Sequence, residues 1–88
     1  MSTHESHPDI IKRLKRAHGH LASVIAMLDD NRGCLDVAQQ LHAVEKAVAN
    51  AKHTLIHDHI DHCLDHAAEG GKAGKQSMLE FKEITKYL

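Results

Sequence analysis

The chain has 88 residues, a net charge of −1 at pH 7 and only two aromatic side chains, Phe81 and Tyr87. This length allows one domain with a small core, and the shortage of aromatic residues favours helices over a β-sandwich. Neither an apolar run of about 18 residues nor the apolar segment of a signal peptide is present. We therefore expect a cytoplasmic protein whose two cysteines, Cys34 and Cys63, are reduced.

The first predicted helix begins near Pro8 and Asp9, because proline suits the first turn and an aspartate there complements the helix dipole. Apolar residues then recur every three or four positions as far as about Asp29. The residues before this helix, 1–6, are polar and are predicted to form a mobile arm. Asn31 and Gly33 predict the turn that follows the helix.

A second, long helix is predicted from Cys34, since no helix breaker occurs before Gly70 and Gly71. At about 1.5 Å per residue, roughly 33 residues form a rod about 50 Å long. The shorter first helix cannot cover the apolar stripe of such a rod, so we expect a second chain to contribute.

A flexible turn is predicted over residues 68–75, followed by a short third helix at about 76–86. The predicted fold is therefore all-α, with a medium, a long and a short helix in one domain, 1–88. With the long helices paired antiparallel, two chains form a helical-bundle dimer.

Histidine is unusually abundant, with ten copies in the chain. His59 and Cys63 lie four residues apart, which places them on one helix face within reach of one metal ion. Most other histidines, among them His57, His62 and His66, are interpreted as solvated residues or secondary metal contacts. A buried, purely apolar role for the cysteines remains an alternative at this point.

Cys34 precedes His59 by 25 positions, or about 340° after whole turns, so it shares the face of the helix with His59 and Cys63. It lies about 37 Å away along a straight helix and cannot bind the same ion within one chain. Antiparallel pairing of two chains would bring Cys34 of one chain to His59 and Cys63 of the other, and two-fold symmetry would create two such sites.

A basic cluster on the first helix is a candidate DNA-binding surface, because clustered lysine and arginine side chains suit phosphate contacts. A solvated polar face is the alternative. The sequence shows no base-reading motif, which makes recognition of DNA shape the expected mode. The candidate residues are Lys12, Arg13, Lys15, Arg16, and Lys46 on the second helix, with Lys52 as a possible extension.

Three segments resemble the CsoR/RcnR family of metal-sensing repressors: RLKRAHGHL at residues 13–21, Cys34 with QQLHAV at residues 39–44, and HDHIDHC at residues 57–63. The C-terminal EFKEITKYL resembles most closely the DmeR/NreA branch, which is associated with nickel and cobalt. The resemblance implies a dimer of dimers that represses efflux genes when metal-free and leaves its operator DNA on binding Ni(II) or Co(II).

The resemblance also implies roles for particular residues. Cys34, His59 and Cys63 would be metal ligands, and the arm would supply a further one. The ungapped family position falls on Ser2, which is a poor ligand. The arm could instead supply its amine or the imidazole of His4 or His7, and we favour His4. Glu80 or Glu83 could orient the ring of His59. Family members contact DNA through first-helix residues that match Arg13 and Arg16, and through a residue near Lys46.

Three other functions remain open from the sequence. A Cu(I)-responsive repressor of the same family would use two thiolates and an imidazole, although Gly33 stands where copper sensors often carry tyrosine. A thiol or persulfide sensor would use Cys34 and Cys63 without His59. A metal buffer would need no DNA contact. An enzyme is not expected, since the chain has neither a phosphate-binding loop nor a nucleophile elbow.

Overall fold

A computed structural model describes residues 5–88 of the chain. Three helices follow one another: α1 at His7–Asp29, α2 at Cys34–Ala67 and α3 at Gly71–Ile84, with a 3₁₀ turn at Thr85–Tyr87. No strand occurs among these described residues. The predicted all-α order of medium, long and short helices is confirmed. No helix within the described residues combines the length and apolar character needed to cross a bilayer.

The chain divides into two compact units. The first, Pro8–Lys52, holds nearly all of α1 and the first half of α2. In it, Val24 packs with Val37 and Val44 to form a small core, against which Met27 lies. Valines suit this position because their branched side chains fill space close to the backbone and lose little entropy on burial.

The turn between α1 and α2 forms where it was predicted. Asn31 adopts a φ of 55°, a left-handed conformation that asparagine tolerates better than most residues. The amide of Arg32 donates to the carbonyl of Met27 at 3.0 Å, and that of Asp30 donates to Ala26 at 2.9 Å. These bonds satisfy carbonyls that the end of α1 would otherwise leave without partners.

The second unit is His53–Leu88, together with the described residues that precede Pro8. The predicted third helix at about 76–86 is present here, but the predicted flexible turn over 68–75 is wrong, because the helix begins five residues earlier. Gly70 and Gly71 take positive φ values of 75° and 66°, which complete the turn, and α3 already begins at Gly71. It ends at Ile84, where the 3₁₀ turn takes over.

Gly74 explains why the glycine-rich segment is helical. A Cβ at this position would lie 3.2 Å from the backbone carbonyl oxygen of Ala67 and 3.5 Å from that of His66. Glycine therefore allows the first turn of α3 to approach the end of α2 more closely than any other residue would. The glycines serve a tight turn and a close helix contact, whereas composition alone indicated flexibility.

Many large apolar side chains of α1 are exposed in the single chain. Those on a register of alternating three- and four-residue steps form a seam, as in helices that pair with other helices, and His18 occupies the position between Leu14 and Leu21. Five side chains of this seam are between 40% and 59% exposed: Ile11, Leu14, Leu21, Ile25 and Leu28.

Candidate metal centre and basic surface

Three potential metal ligands converge in the second unit. The ligand atoms of His59, Cys63 and Glu80 all lie within 4.8 Å of one another. His59 and Cys63 project from adjacent turns of α2, whereas Glu80 comes from α3. The turn at Gly70 and Gly71 and the close contact at Gly74 bring α3 back along α2 and thereby position the carboxylate.

Glu80 is the acidic residue that faces His59. Its Oε2 lies 3.7 Å from Nε2 of His59, close enough for attraction when the imidazole is protonated. Glu83, the other candidate, lies 3.2 Å from the ammonium of Lys86. The sequence could not distinguish these two glutamates. It places both on the third helix but does not show which face of that helix turns toward His59.

Cys63 is fully buried, with 0% of its surface exposed. Burial raises the pKa of its thiol above the ordinary value of 9.0, and the negative charge of Glu80 raises it further. The thiol therefore stays protonated at neutral pH in the metal-free chain. A cation at this position would instead favour the thiolate of Cys63, because the thiolate is the form of cysteine that binds metal.

The chemistry of the three donors suits a metal ion of intermediate softness. A thiolate sulfur, an imidazole nitrogen and a carboxylate oxygen are each ordinary ligands of divalent transition metals. Three protein donors leave a coordination position for a further group. A groove of about 430 Å³ opens beside two of the three donors and is lined by residues that include His59, Glu80 and Tyr87.

Cys34 is the first residue of α2, is exposed and belongs to the other compact unit. It is not one of the three converging ligands. The continuous helix from Cys34 to Ala67 is the condition on which the prediction of a second chain depended. The contribution of Cys34 from that second chain stays a prediction.

The predicted N-terminal ligand, His4, lies outside the described residues. Just after it, the hydroxyl of Ser6 donates a 2.7 Å hydrogen bond to Oδ2 of Asp58. Asp58 immediately precedes His59 on α2. The chain is thus held to α2 two residues after His4, next to a candidate ligand.

The basic residues lie on the surface of the first unit. Arg13 and Arg16 line a groove of about 210 Å³, together with His20 and Asn50. Nε of Arg13 is 2.7 Å from Oδ2 of Asp9, so part of its charge is balanced within α1. The remaining candidates for DNA contact are also exposed: Lys12, Lys15 and Lys46.

The sequence is similar to that of known proteins over most of its length. The profile of a family described as metal-sensitive transcriptional repressor matches residues 6–87. The copper-sensing transcriptional repressor CsoR of Bacillus subtilis is 36% identical over 81 residues, which cover 88% of this chain and 79% of that protein. The CsoR of Mycobacterium ulcerans is 34% identical over 77 residues, which cover 88% of this chain but only 65% of that protein.

A solved structure is also similar in fold. The nickel-responsive transcriptional regulator InrS superposes with a TM-score of 0.83 and 32% sequence identity, covering 99% of this chain and 96% of that one. One group of relatives is thus named for copper and the structural relative for nickel. The similarity to known repressors therefore includes the fold as well as the sequence.

Proposed function

This chain belongs to the CsoR/RcnR family of metal-sensitive transcriptional repressors, and we propose that it represses metal-efflux genes until Ni(II) or Co(II) releases it from DNA. The observation that carries the proposal is the convergence of His59, Cys63 and Glu80 within 4.8 Å. Such a repressor acts in the cytoplasm, where its operator DNA is found.

Donor chemistry supports nickel or cobalt over copper. Cu(I) favours soft sulfur ligands and low coordination numbers, whereas Ni(II) and Co(II) accept nitrogen and oxygen donors. A carboxylate oxygen of Glu80 beside His59 adds a hard donor that Cu(I) does not need. A Cu(I)-responsive repressor remains the second candidate, because the curated relatives above are named for copper.

We further propose that the complete site needs two chains. Cys34 of a second copy would join His59 and Cys63, with His4 as a further ligand from the arm. The exposed seam on α1 supports association, because apolar side chains spaced in this way gain free energy when another helix covers them. An antiparallel dimer, and then a dimer of dimers, is the assembly we propose.

The residues of the chain would respond to the ion as follows. Cys63 and Cys34 would each release a proton, and His59 would bind through a neutral ring nitrogen. Glu80 would either complete the ligand set or accept a hydrogen bond from the ring of His59 and so fix its orientation. Ligands from α2, α3 and the second chain would then be held together, which would fix the relative positions of these elements.

DNA would bind through the exposed basic residues of α1 and α2. Arg13 and Arg16, which line one groove, would contact phosphates, with support from Lys12, Lys15 and Lys46. Release requires that the ion bind the free protein more tightly than the DNA-bound protein, and each tenfold difference corresponds to about 1.4 kcal/mol.

The test is an anaerobic titration of reduced protein with Ni(II), followed by ultraviolet–visible absorption. A thiolate-to-nickel charge-transfer band that saturates at one ion per chain supports the site. The band should disappear in Cys63→Ala and weaken in His59→Ala, whereas His42→Ala, an exposed histidine on the same helix, serves as the control. Absence of the band with nickel, cobalt and Cu(I) would overturn the proposal.

A thiol or persulfide sensor is disfavoured by the burial of Cys63. The thiolate is the reactive form of cysteine, and burial raises the pKa of this thiol. A metal buffer is the other alternative, and it would function equally well without its basic surface. Loss of regulation in an Arg13→Ala/Arg16→Ala variant that still binds metal would exclude the buffer.

A further inference from the structure

We propose that His62 and His66 form a second metal site, without thiolate, for a divalent ion such as Ni(II), Co(II) or Zn(II). The sequence analysis interpreted both residues as solvated or as secondary contacts. Both are partly buried in the structure. The proposal concerns residues outside the sensing cluster of His59, Cys63 and Glu80, and it stands whether or not that cluster regulates DNA binding.

The geometry of the two rings carries the inference. His62 and His66 are four positions apart on α2, so they occupy the same helix face. Their ring centroids are 4.3 Å apart with an interplanar angle of 70°. Rotations about the side-chain torsions are sufficient to direct one nitrogen of each ring at a shared ion about 2 Å away.

Glu69 prepares His66 for this role. Glu69 lies in the turn that follows α2, and its Oε1 is 3.4 Å from Nδ1 of His66. A carboxylate on Nδ1 favours the proton there and leaves the Nε2 lone pair for a metal ion. This combination of carboxylate, imidazole and ion is a common arrangement around protein metal sites.

The local charge also favours a cation. Between Lys52 and Lys72 the chain contains no lysine or arginine. The same segment carries four carboxylates, which produce a negative potential that attracts divalent ions: Asp58, Asp61, Asp65 and Glu69.

Spacing alone does not identify this pair, because His53 and His57 are also four residues apart. Both of those side chains are exposed, and no ring contact between them is found in the described part of the chain. An exposed pair loses more side-chain entropy on binding than a pair that packing already holds together. His53 and His57 therefore provide the matched control.

The test is equilibrium dialysis against Co(II) at controlled free concentration, with reduced protein under anaerobic conditions. Wild-type protein should bind about two ions per chain, and Cys34→Ala/Cys63→Ala should retain about one, without a thiolate charge-transfer band. Adding His62→Gln/His66→Gln to the double cysteine variant should weaken the remaining binding by at least about tenfold. Adding His53→Gln/His57→Gln instead should leave it unchanged.

The proposal would be overturned if the ion that binds without thiolate were retained after His62 and His66 are replaced. It would also be overturned if that ion were lost when His53 and His57 are replaced. Protein NMR of the Cys34→Ala/Cys63→Ala chain, in which every histidine is intact, guards against misfolding of a histidine variant. Substoichiometric Co(II) should broaden the ring resonances of His62 and His66 in the Cys34→Ala/Cys63→Ala protein, and broadening confined to other histidines would contradict the site. If the thiolate band is missing but the second ion binds, the proposed function fails and this inference survives.

Discussion

At the scale of single residues, the candidate centre depends on a buried thiol beside a carboxylate. Spacing identified His59 and Cys63 in the sequence, because a four-residue interval on a helix needs no knowledge of tertiary structure. It could not identify Glu80 as the nearer glutamate, since that depends on where α3 begins and how it packs. Burial of the cysteines was an open alternative, and the sequence could not indicate that Cys63 would be buried and Cys34 exposed.

The buried thiol makes stability depend on pH. Because folding raises the pKa of Cys63 above 9.0, its contribution to stability is fully present below that pH and is lost as the pH rises through the higher folded-state value. In metal-free, reduced protein, the free energy of unfolding should therefore fall more steeply above pH 9 in wild type than in Cys63→Ala. Denaturant titrations at several pH values measure this difference.

Cys34→Ala is the control for that experiment, because it removes an exposed cysteine from the same helix. In this variant the free energy of unfolding should fall with pH as steeply as in the wild-type protein. Equal slopes for wild type and Cys63→Ala would show that burial does not disfavour the thiolate.

The two glutamates of α3 should differ in their effect on metal affinity. Glu80→Gln removes the charge that lies 3.7 Å from His59, so Ni(II) affinity should fall by about 10- to 100-fold. Glu83→Gln removes a carboxylate paired with Lys86 and should change affinity little. Competition with a chelator of known affinity measures both variants, and equal losses would contradict the assignment of Glu80.

At the scale of helices, the sequence predicted α1 and α2 closely because their apolar periodicity and boundary residues agree. It misplaced the start of α3, where Gly70, Gly71 and Gly74 lower helix propensity and indicate a flexible turn. Propensity was overridden by packing: the missing side chain of Gly74 permits the contact with Ala67.

Replacing Gly74 tests that explanation. In Gly74→Ala the new Cβ meets the Ala67 carbonyl oxygen at 3.2 Å, and a backbone atom cannot easily move away. We expect a loss of about 1 kcal/mol in the free energy of unfolding, because overpacking exceeds the gain in helix propensity. Gly19→Ala, in the middle of α1 with nothing within 4 Å, should gain about 0.5–1 kcal/mol.

Urea unfolding followed by circular dichroism compares these two variants. A gain in stability for Gly74→Ala as large as that for Gly19→Ala would show that α3 does not depend on the close contact. Because Glu80 is on α3, Gly74→Ala should also weaken metal binding, whereas Gly19→Ala should not.

At the scale of the whole molecule, the proposal requires two chains for each complete site. The length and apolar periodicity of α2 predict this requirement from the sequence, because α1 is too short to cover a helix of 34 residues. Which surfaces associate could not be predicted, since many exposed apolar side chains are available on both α1 and α2.

Mixing two inactive variants tests the shared site. Neither Cys34→Ala nor Cys63→Ala alone should form the complete nickel–thiolate site. In an antiparallel mixed dimer one of the two sites regains both cysteines, so random exchange should restore about a quarter of the wild-type band. The charge-transfer absorption measures this recovery after the two proteins are mixed under exchange conditions. If each site were built within one chain, mixing would restore nothing.

The central claim is that metal binding at this centre controls the affinity for DNA. Its most direct test is fluorescence anisotropy with an operator fragment selected from host DNA by the metal-free protein, measured with and without saturating Ni(II) or Co(II). We predict at least about tenfold weaker DNA binding with metal for wild type, and an unchanged, tight affinity for His59→Ala under both conditions. DNA affinity that stays the same for the wild-type protein when saturated with Ni(II), Co(II) or Cu(I) would contradict the account.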